Sequence, residues 1–381
     1  MKLDAPWLGS PATQAVVAAL GEGALFVGGC VRNTLMEQPV SDIDIATSLQ
    51  PGEVTRRAEE AELKAIPTGL DHGTVTIVSA GIPFEVTTFR ADIATDGRRA
   101  VVRFSDDIVE DAARRDFTIN ALYAEPDGTL VDPLGGLPDL EARRVRFIGE
   151  AADRIREDAL RILRFFRFNA WYGEGIDAEG LAACADAVGD IAGLARERIG
   201  AEMRKLLAAP DPAPAVAAMA ASGVLSASLP GANPALLPHL IAREEEAEAE
   251  PDWRTRLAAL GPQDAAGALR LSRAEMRHLD QIVICLDALD TPARAAAEYG
   301  AEIATAAHLI TGALSPMPWA ETGAEIARGT AAIFPLRAKD LLARGLKPGP
   351  HMGKALQAAR AAWLASDFSL DKADLIEKAL E

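Results

Sequence analysis

The segment GGCVRNTLMEQPVSDIDIATS, residues 28–48, brings two glycines, one arginine and two aspartates close together. Asp42 and Asp44 alternate with isoleucines, which predicts a strand that carries both carboxylates on one face. Two like charges side by side are costly unless a cation lies between them, and oxygen-only ligands suit Mg²⁺ with substrate phosphates. Asp42 and Asp44 are therefore candidate catalytic and metal-binding residues. A D-x-D pair alone more often marks only the solvated face of an amphipathic strand.

Gly28 and Gly29 follow the apolar run ALFV and precede a segment with helical spacing. Glycines in that position let backbone N–H groups approach an anion closely, and Arg32 lies one turn further on. A Gly-Gly pair by itself most often indicates a tight turn. Beside the aspartate pair it predicts the layout of phosphoryl or nucleotidyl transfer, in which a triphosphate and its Mg²⁺ fill the intervening space.

The elements that must position these residues change in type along the chain. The first part reads as mixed α/β: Ser10-Pro11 predicts a helix start, and TVTIVSAGIPFEVTTFR (residues 74–90) predicts a hairpin across Ala-Gly. Beyond about residue 140 the chain is rich in Ala, Leu, Arg and Glu at helical spacing, broken by Pro and Gly. The sequence predicts an α/β head followed by an all-α remainder.

Composition describes a folded chain with segregated charge. Of 381 residues, 49% are apolar, and the net charge is −17. From residue 141 to 170, however, eight arginines face five acidic residues, and a basic face of this kind can steer a polyanion. The run REEEAEAE, residues 243–250, is expected to be a solvated helix face or loop.

Cysteine usage and hydropathy bear on location. The three cysteines are far apart in sequence, which gives neither a disulfide framework nor a zinc pattern and fits a reducing compartment. No signal peptide and no run of about eighteen apolar residues is evident. The expected location is the cytoplasm, without a membrane partner.

Four further stretches occur in order: ARRDFTINAL (113–122), DPLGGLPDLEARRVRFIG (132–149), REDALRILRFFRF (156–168) and ARERIGAEMRKLL (195–207). With GGCVRN and SDIDIAT, this series resembles the class II tRNA nucleotidyltransferases and bacterial poly(A) polymerases over roughly residues 20–207. Residues 335–363 are similar to the C-terminal segment of bacterial CCA-adding enzymes.

The resemblance implies a fold and its domains. It implies an α/β head of polymerase-β-like nucleotidyltransferase type, followed by all-α neck, body and tail domains. The corresponding ranges are 1–137 for the catalytic head, 138–207 for a neck with a nucleobase-reading helix, 208–325 for the body, and 326–381 for a tRNA-binding tail.

The resemblance also implies site residues. Asp42 and Asp44 would bind the metals, with Glu85 either a third carboxylate or, more simply, a solvent-facing strand residue. The nucleotide-binding residues would be Gly28, Gly29, Arg32, Arg115, Asp116, Asp158, Arg161, Arg164 and Arg167. Asp116 is expected near the ribose.

The helix predicted for REDALRILRFFRF has a physical rationale as a base reader. Asp158 and Arg161 are neighbours at i and i+3, and Phe165 and Phe168 are expected on the same side. An aspartate accepts from an exocyclic amine and an arginine donates to a ring acceptor, which suits C and A but mismatches G and U. The simpler interpretation is a surface ion pair between Asp158 and Arg161.

The implied activity is addition or repair of the 3′-terminal CCA of tRNA from CTP and ATP, with pyrophosphate release and a two-metal mechanism. The alternatives are a poly(A) polymerase of the same family and a catalytically silent RNA-binding homologue. Asp96-Gly97-Arg98-Arg99 is a candidate D-x-x-R element for A addition or only a solvated loop.

One departure from the family pattern Gly-Gly-x-Val-Arg-Asp stands at Asn33. If the residue only caps the helix or orients Arg32, an amide suffices, because it can accept and donate hydrogen bonds. If its charge is needed, nucleotide binding weakens. The first alternative is favoured.

Overall fold

A computed structural model describes residues 1–69, 73–96, 99–288, 291–314 and 318–381. These residues form two compact units, 1–230 and 231–381. The finer division into head, neck, body and tail stays a prediction. Within the described part of the chain, no helix is both long enough and apolar enough to cross a membrane.

The N-terminal unit begins with a mixed seven-stranded sheet in the order β3-β4-β5-β2-β1-β8-β9, and β6 pairs with β7 separately. Only β2 and β5 pair in parallel. The strands are β1 (Ala24–Val27), β2 (Ile43–Thr47), β3 (Lys64–Gly69), β4 (Thr74–Ser79), β5 (Ile82–Thr88), β6 (Arg90–Asp96), β7 (Arg99–Phe104), β8 (Tyr123–Ala124) and β9 (Leu130–Val131).

Local sequence explains several of these elements. The hairpin predicted across Ala80-Gly81 is confirmed, with φ of 50° and 80° at these two residues, as a tight two-residue turn requires. Ser10 caps the first helix by accepting a hydrogen bond from the Thr13 N–H at 3.2 Å, which confirms the predicted helix start. Val27, Ala46 and Tyr123 of the sheet form one buried cluster with Ala112 of the helix that spans Ile108–Ala113 and with other apolar residues.

Helices carry the rest of this unit. They are α1 (Pro11–Leu20), α2 (Gly29–Leu35), α3 (Pro51–Glu60), α4 (Ile108–Ala113), α5 (Leu137–Glu141), α6 (Ala151–Glu157), α7 (Leu160–Tyr172), α8 (Ala178–Asp186), α9 (Arg196–Leu207), α10 (Ala213–Ala221) and α11 (Val224–Ser228). Short 3₁₀ turns span Thr118–Asn120 and Val188–Gly193.

The prediction of one continuous helix over residues 156–168 is wrong. The chain breaks between α6 and α7, where Asp158 has φ −154° and ψ 104°, an extended conformation. The Asp158 side chain then accepts from the Leu160 N–H at 3.1 Å, so it caps the start of α7. Because of this break, the Asp158 side chain leaves the backbone in a different direction from that of a residue inside a regular helix.

Phe165 was also expected on the wrong side of this helix. Its side chain is fully buried, and its ring stacks on Phe147 with centroids 5.4 Å apart. Phe168 packs on Phe117 at 5.1 Å. Aromatic packing therefore fixes α7 against the β-rich part of this unit.

The second unit is helical. Its helices are α12 (Leu237–Glu246), α13 (Trp253–Leu260), α14 (Ala265–Leu269), α15 (Arg273–Ala288), α16 (Pro292–Tyr299), α17 (Ala301–Gly312), α18 (Trp319–Ala331), α19 (Ala338–Leu342), α20 (Pro350–Ala365) and α21 (Lys372–Leu380), with a 3₁₀ turn at Pro234–Leu236.

The acidic run 243–250 is only partly solvated, which corrects the sequence-based expectation. Glu244 is buried and accepts from Arg256 Nη2 at 2.7 Å, with side-chain exposures of 5% and 1%. Arg243 is buried as well. Glu244 of this charged run therefore forms a buried ion pair with Arg256.

The three cysteines, Cys30, Cys184 and Cys285, are free and buried, as expected for a chain without disulfides. Burial raises the pKa of Cys30 to about 11 and that of Cys184 to about 12. Cys30 lies on α2 beside β2, with its Sγ 3.8 Å from the Asp44 carbonyl oxygen.

Candidate active site

The two motifs of the opening segment meet at one edge of the sheet. β1 and β2 are antiparallel, with Phe26 opposite Ile45, so β1 ends where β2 begins. Gly28 follows β1 with φ 71°, a conformation that L side chains rarely adopt, and α2 starts at Gly29. The Gly-Gly turn therefore lies beside the aspartate pair, as predicted.

The carboxylates occupy the start of β2 and the adjacent strand. Asp42 is exposed just before β2, and Asp44 is half-buried within it. Glu85 is exposed on β5 and is the parallel register partner of Asp44. The pKa of Asp44 is raised to about 6, and burial is the largest cause. The negative charge of Glu85 is the next cause, and that of Asp42 adds to the effect. The arrangement is both solvent-facing and able to offer a third carboxylate.

This carboxylate set fits a hard divalent cation. All of its ligand atoms would be oxygens. Asp44 is half-buried and its pKa is raised, so a cation in place of the proton would stabilise its ionised form. Asp42, Asp44 and Glu85 are thus the residues on this edge able to hold a metal.

A cavity of about 610 Å³ opens from this edge toward α7. Its lining contains seven arginines and three aspartates, which gives a local excess of positive charge in a chain of net charge −17. The lining residues are Gly28, Gly29, Arg32, Asp44, Arg90, Arg114, Arg115, Asp116, Asn120, Asp158, Arg161, Arg164, Phe168 and Arg198. Such a cavity attracts a polyanion.

The cavity brings together eight of the nine residues predicted to bind a nucleotide. Arg167 is the exception: it is not in the lining, and its Nε lies 2.6 Å from a carboxylate oxygen of Glu202 on α9. Asp42 is also outside the lining, although Asp44 is part of it. The functional roles of all these residues stay predictions.

Arg115 is fixed by a buried acidic group that the sequence did not single out. Asp111 on α4 accepts from Arg115 Nη2 at 3.0 Å and from the Tyr123 hydroxyl at 2.7 Å. The Tyr123 oxygen in turn accepts from Arg115 Nε at 3.1 Å. Asp111 also accepts from Arg114 Nε at 2.8 Å, so one carboxylate orients two cavity arginines.

Arg32 is buried in the cavity wall and is surrounded by neutral acceptors. Asn33 Oδ1 accepts from Arg32 Nε at 3.1 Å and from Nη2 at 2.8 Å. Nη2 also donates to the Tyr172 hydroxyl at 2.9 Å, and Nη1 donates to Asn120 Oδ1. The side chain at position 33 thus orients Arg32 by hydrogen bonding, as the favoured alternative required.

Asp116 is engaged by Arg164 on α7. It is buried and accepts from Arg164 Nε at 2.7 Å and from Asn120 Nδ2 at 2.9 Å. Burial opposes its ionisation, but the charge of Arg164 and these hydrogen bonds hold the pKa of Asp116 below its usual range. Asp116 is therefore an anion that joins the β-rich part of the unit to α7.

Asp158 and Arg161 both line the cavity but have different partners, so the simple interpretation as a mutual ion pair is wrong. Asp158 Oδ2 accepts from Arg198 Nη2 at 2.6 Å. Arg161 Nη1 donates to Glu157 Oε2 at 2.5 Å, and its Nη2 donates to the Arg114 carbonyl oxygen at 3.0 Å. Each side chain is held by a separate anchor at the cavity wall.

Sequence reasoning missed several residues of the site: Arg90, Asp111, Arg114, Asn120, Tyr172, Arg198 and Glu202. Arg114, Asn120, Arg198 and Glu202 lie inside the quoted stretches, so their place in those stretches was an available signal. Tyr172 lies beyond them and had none. Gly97 and Arg98 of the candidate D-x-x-R element fall outside the described residues.

Two stretches of the chain match known families. Residues 24–146 match the family described as Poly A polymerase head domain. Residues 175–236 match the family described as Probable RNA and SrmB- binding site of polymerase A.

Curated relatives extend the match to most of the chain. The CCA-adding enzyme of Geobacillus thermodenitrificans (strain NG80-2) is 36% identical over 342 residues, which are 85% of this chain and 82% of the relative. The CCA-adding enzyme of Geobacillus stearothermophilus is 35% identical over 366 residues, which are 89% of this chain and 88% of the relative.

Solved structures agree with this similarity. The crystal structure of Bacillus stearothermophilus CCA-adding enzyme in complex with CTP matches with a TM-score of 0.77 and 29% identity, over 97% of each chain. Thermotoga maritima CCA-adding enzyme complexed with tRNA matches with a TM-score of 0.67 and 19% identity, over 97% of this chain and 98% of that one, a likeness of fold. The predicted nucleotidyltransferase-type head followed by helices is confirmed.

Proposed function

This chain belongs to the CCA-adding enzymes, and from that premise we propose how its own residues perform the reaction. It is a tRNA nucleotidyltransferase that builds or repairs the 3′-terminal CCA of tRNA from CTP and ATP. The observation that carries the proposal is a single cationic cavity whose lining includes Asp44 on the catalytic strand and both Asp158 and Arg161 beside α7.

The reaction joins the tRNA 3′ end to a nucleotide. The terminal 3′ hydroxyl loses its proton to solvent, and its oxygen forms a bond to the α-phosphorus of the nucleoside triphosphate. The bond from that phosphorus to the bridging oxygen breaks, and pyrophosphate leaves with the electron pair. Asp42 and Asp44 would hold Mg²⁺, with Glu85 as the further carboxylate at hand. The ions would supply activation of the hydroxyl and neutralisation of the leaving oxygens.

The arginines of the cavity bind the triphosphate in this proposal. Arg115 is oriented by Asp111 and Tyr123, and Arg32 by Asn33, Asn120 and Tyr172. Because their guanidinium groups are held before the ligand arrives, less side-chain entropy is lost on binding. Asp116, already held by Arg164, is the polar group proposed for the ribose.

Base selection is assigned to Asp158 and Arg161. The carboxylate accepts from the exocyclic amine of C or A, and the guanidinium donates to a ring acceptor, whereas G and U present the opposite groups. Arg198 holds the Asp158 carboxylate in place through a hydrogen bond, and Glu157 orients Arg161 in the same way. A mismatched base would leave buried polar groups unpaired, which discriminates by about 10³-fold or more.

The decisive experiment compares wild type with Asp42→Ala on tRNA that lacks CCA, given CTP and ATP separately and together. Wild type is expected to add CCA and release pyrophosphate. The variant is expected to add nothing while still binding tRNA, because Asp42 is exposed and lies outside the hydrogen-bond network of the cavity. Full activity of Asp42→Ala would contradict the proposed catalytic role, and long A-only products on general RNA would instead indicate a poly(A) polymerase.

Mg²⁺ is the proposed ion and the cytoplasm the proposed compartment. The all-oxygen carboxylate set supports Mg²⁺ over softer metals. Three free, buried cysteines fit a reducing compartment.

A further inference from the structure

The guanidinium of Arg32 is a buried cation without a carboxylate partner among the described residues. The side chain is 6% exposed, and its hydrogen bonds go to two amide oxygens and one phenol oxygen. A guanidinium has five N–H donors, and these contacts use four of them. Buried charges in proteins are normally paired, so this side chain is an exception that calls for a ligand.

The neighbouring charges do not supply the missing anion. Arg32, Arg164 and Arg167 surround the ring of Phe168, with guanidinium carbons 5.2, 5.2 and 4.4 Å from its centroid. The two carboxylates of this cluster are committed elsewhere: Asp116 binds Arg164, and Glu202 pairs with Arg167 at 2.6 Å. Three cations and two anions leave one positive charge, and it belongs to Arg32.

Asn33 is the reason for this imbalance. Its Oδ1 accepts two hydrogen bonds from Arg32, and its Nδ2 donates to the Pro39 carbonyl oxygen at 2.8 Å. An aspartate at this position would accept from Arg32 as well, but it would neutralise the guanidinium and place a carboxylate oxygen against the Pro39 oxygen. The amide therefore orients the arginine without cancelling its charge.

We propose that Asn33 is a positioning residue that keeps the charge of Arg32 available, so that the cavity takes its missing negative charge from a polyphosphate. This inference rests on the proposed function, since it assigns Arg32 to the triphosphate of the nucleotide. In this chain an amide therefore strengthens binding of the polyphosphate at the expense of stability of the empty cavity.

The test is isothermal titration of the full chain with sodium tripolyphosphate in EDTA, so that no divalent cation contributes. Asn33→Asp adds a carboxylate beside Arg32. Asn33→Ser is the matched control, because it also loses the bond to Pro39 but keeps a neutral acceptor. We expect Asn33→Asp to bind about tenfold more weakly than wild type, and Asn33→Ser to stay within about threefold of it.

Thermal unfolding of the empty proteins gives a readout of opposite sign. Asn33→Asp is expected to melt at a higher temperature than Asn33→Ser, because its ion pair satisfies Arg32 internally. In steady state, Asn33→Asp should raise KM for CTP and ATP and leave kcat within about threefold. A purely structural defect would lower stability and affinity together.

Equal or tighter tripolyphosphate binding by Asn33→Asp relative to Asn33→Ser would overturn the inference, as would a lower melting temperature. Failure of the proposed function is distinguishable, because it would appear as missing CCA addition by wild type. The order of tripolyphosphate affinities would be unaffected by that failure.

Discussion

Asp44 has the most consequential environment among the carboxylates of the site. Burial and the negative charge of Glu85 raise its pKa to about 6, well above the ordinary value for an aspartate. Below that pH the metal-free protein holds a proton on Asp44. If Asp44 binds the divalent cation as proposed, metal binding is coupled to proton release in the weakly acidic range.

Glu85→Gln separates two roles of Glu85. Removing its charge should lower the pKa of Asp44, so that binding of Mn²⁺, measured by titration between pH 5 and 8, persists to lower pH than in wild type. In wild type the affinity should fall by about tenfold per pH unit once the pH is below the pKa of Asp44. If Glu85→Gln instead loses affinity equally at every pH, Glu85 is a metal ligand and not merely a charged neighbour.

The sequence predicted residues that are proposed to contact a ligand. It predicted few of the residues that orient those side chains. Asp44, Arg115 and Asp158 were predicted because their types and spacing fit a reaction and a family pattern. Tyr172 was not predicted, because its contact with Arg32 joins distant parts of the chain, and Asp111 was not, because its burial leaves no mark in the sequence. A buried carboxylate on α4 has no periodic signature that distinguishes it from a solvated one.

At the level of elements, the break between α6 and α7 is the feature that shapes the base-reading wall. Asp158 ends one helix, caps the next and binds Arg198 on α9. In the proposed function this side chain has both a structural and a recognition role, and substitutions can separate them.

Asp158→Ala and Asp158→Ser should behave differently. Alanine removes the cap of α7 and should cost about 1 kcal/mol in the free energy of unfolding, whereas serine can still cap the helix. Both variants lose the charge and the pairing with Arg198, so both should incorporate UTP and GTP more readily relative to CTP and ATP. Urea unfolding and single-nucleotide incorporation measure the two effects.

Retained discrimination in Asp158→Ser would contradict the assignment of Asp158 to base reading. Equal stability of the two variants would contradict its role as a cap.

Hairpins and the glycine turn were predictable because their conformations are encoded locally, as at Ala80-Gly81 and Gly28. The helix break at Asp158 was not, because residues 156–168 have good helical spacing on both sides of it. Packing of Phe165 and Phe168 against Phe117 and Phe147 holds α7 in place, and that packing is tertiary.

At the scale of the whole molecule, the chain carries a net charge of −17 yet must bind a polyanion. The seven arginines of the cavity lining and the basic stretch 141–170 show how the charges are segregated. Screening limits such fields to about 10 Å at ordinary salt, so local charge governs binding more than the total does.

Binding of tRNA should therefore depend steeply on salt. Raising salt from about 50 to 200 mM should weaken binding by tenfold or more, because counterions are released from each neutralised phosphate. Arg156 on α6 is exposed, with 73% of its side chain accessible, and Arg156→Gln should reduce the slope of log affinity against log salt. Arg56→Gln on α3, also an exposed arginine, should leave that slope unchanged. Fluorescence anisotropy measures both, and a flat response in wild type would count against an arginine-rich tRNA-binding surface.

Stability of the second unit should depend on its internal ion pair. Glu244→Gln removes the carboxylate that pairs with the buried Arg256 guanidinium and should lower the free energy of unfolding by about 3 kcal/mol. Glu246→Gln removes an exposed carboxylate that pairs with Arg243 and should cost much less, because solvent screens an exposed pair. Chemical unfolding followed by tryptophan fluorescence compares them, and equal costs would contradict an essential buried pair.

The three buried thiols can report local opening of the structure around each of them. Cys30 lies on α2 beside β2, Cys184 on α8 and Cys285 on α15. Each thiol would therefore be alkylated only when the structure around it opens. Pulse alkylation read by mass spectrometry would then time three separate openings in one unmodified chain. Slower alkylation of Cys30 in the presence of a bound nucleotide would measure how strongly the ligand suppresses local opening beside β2. No engineered label is needed for this measurement.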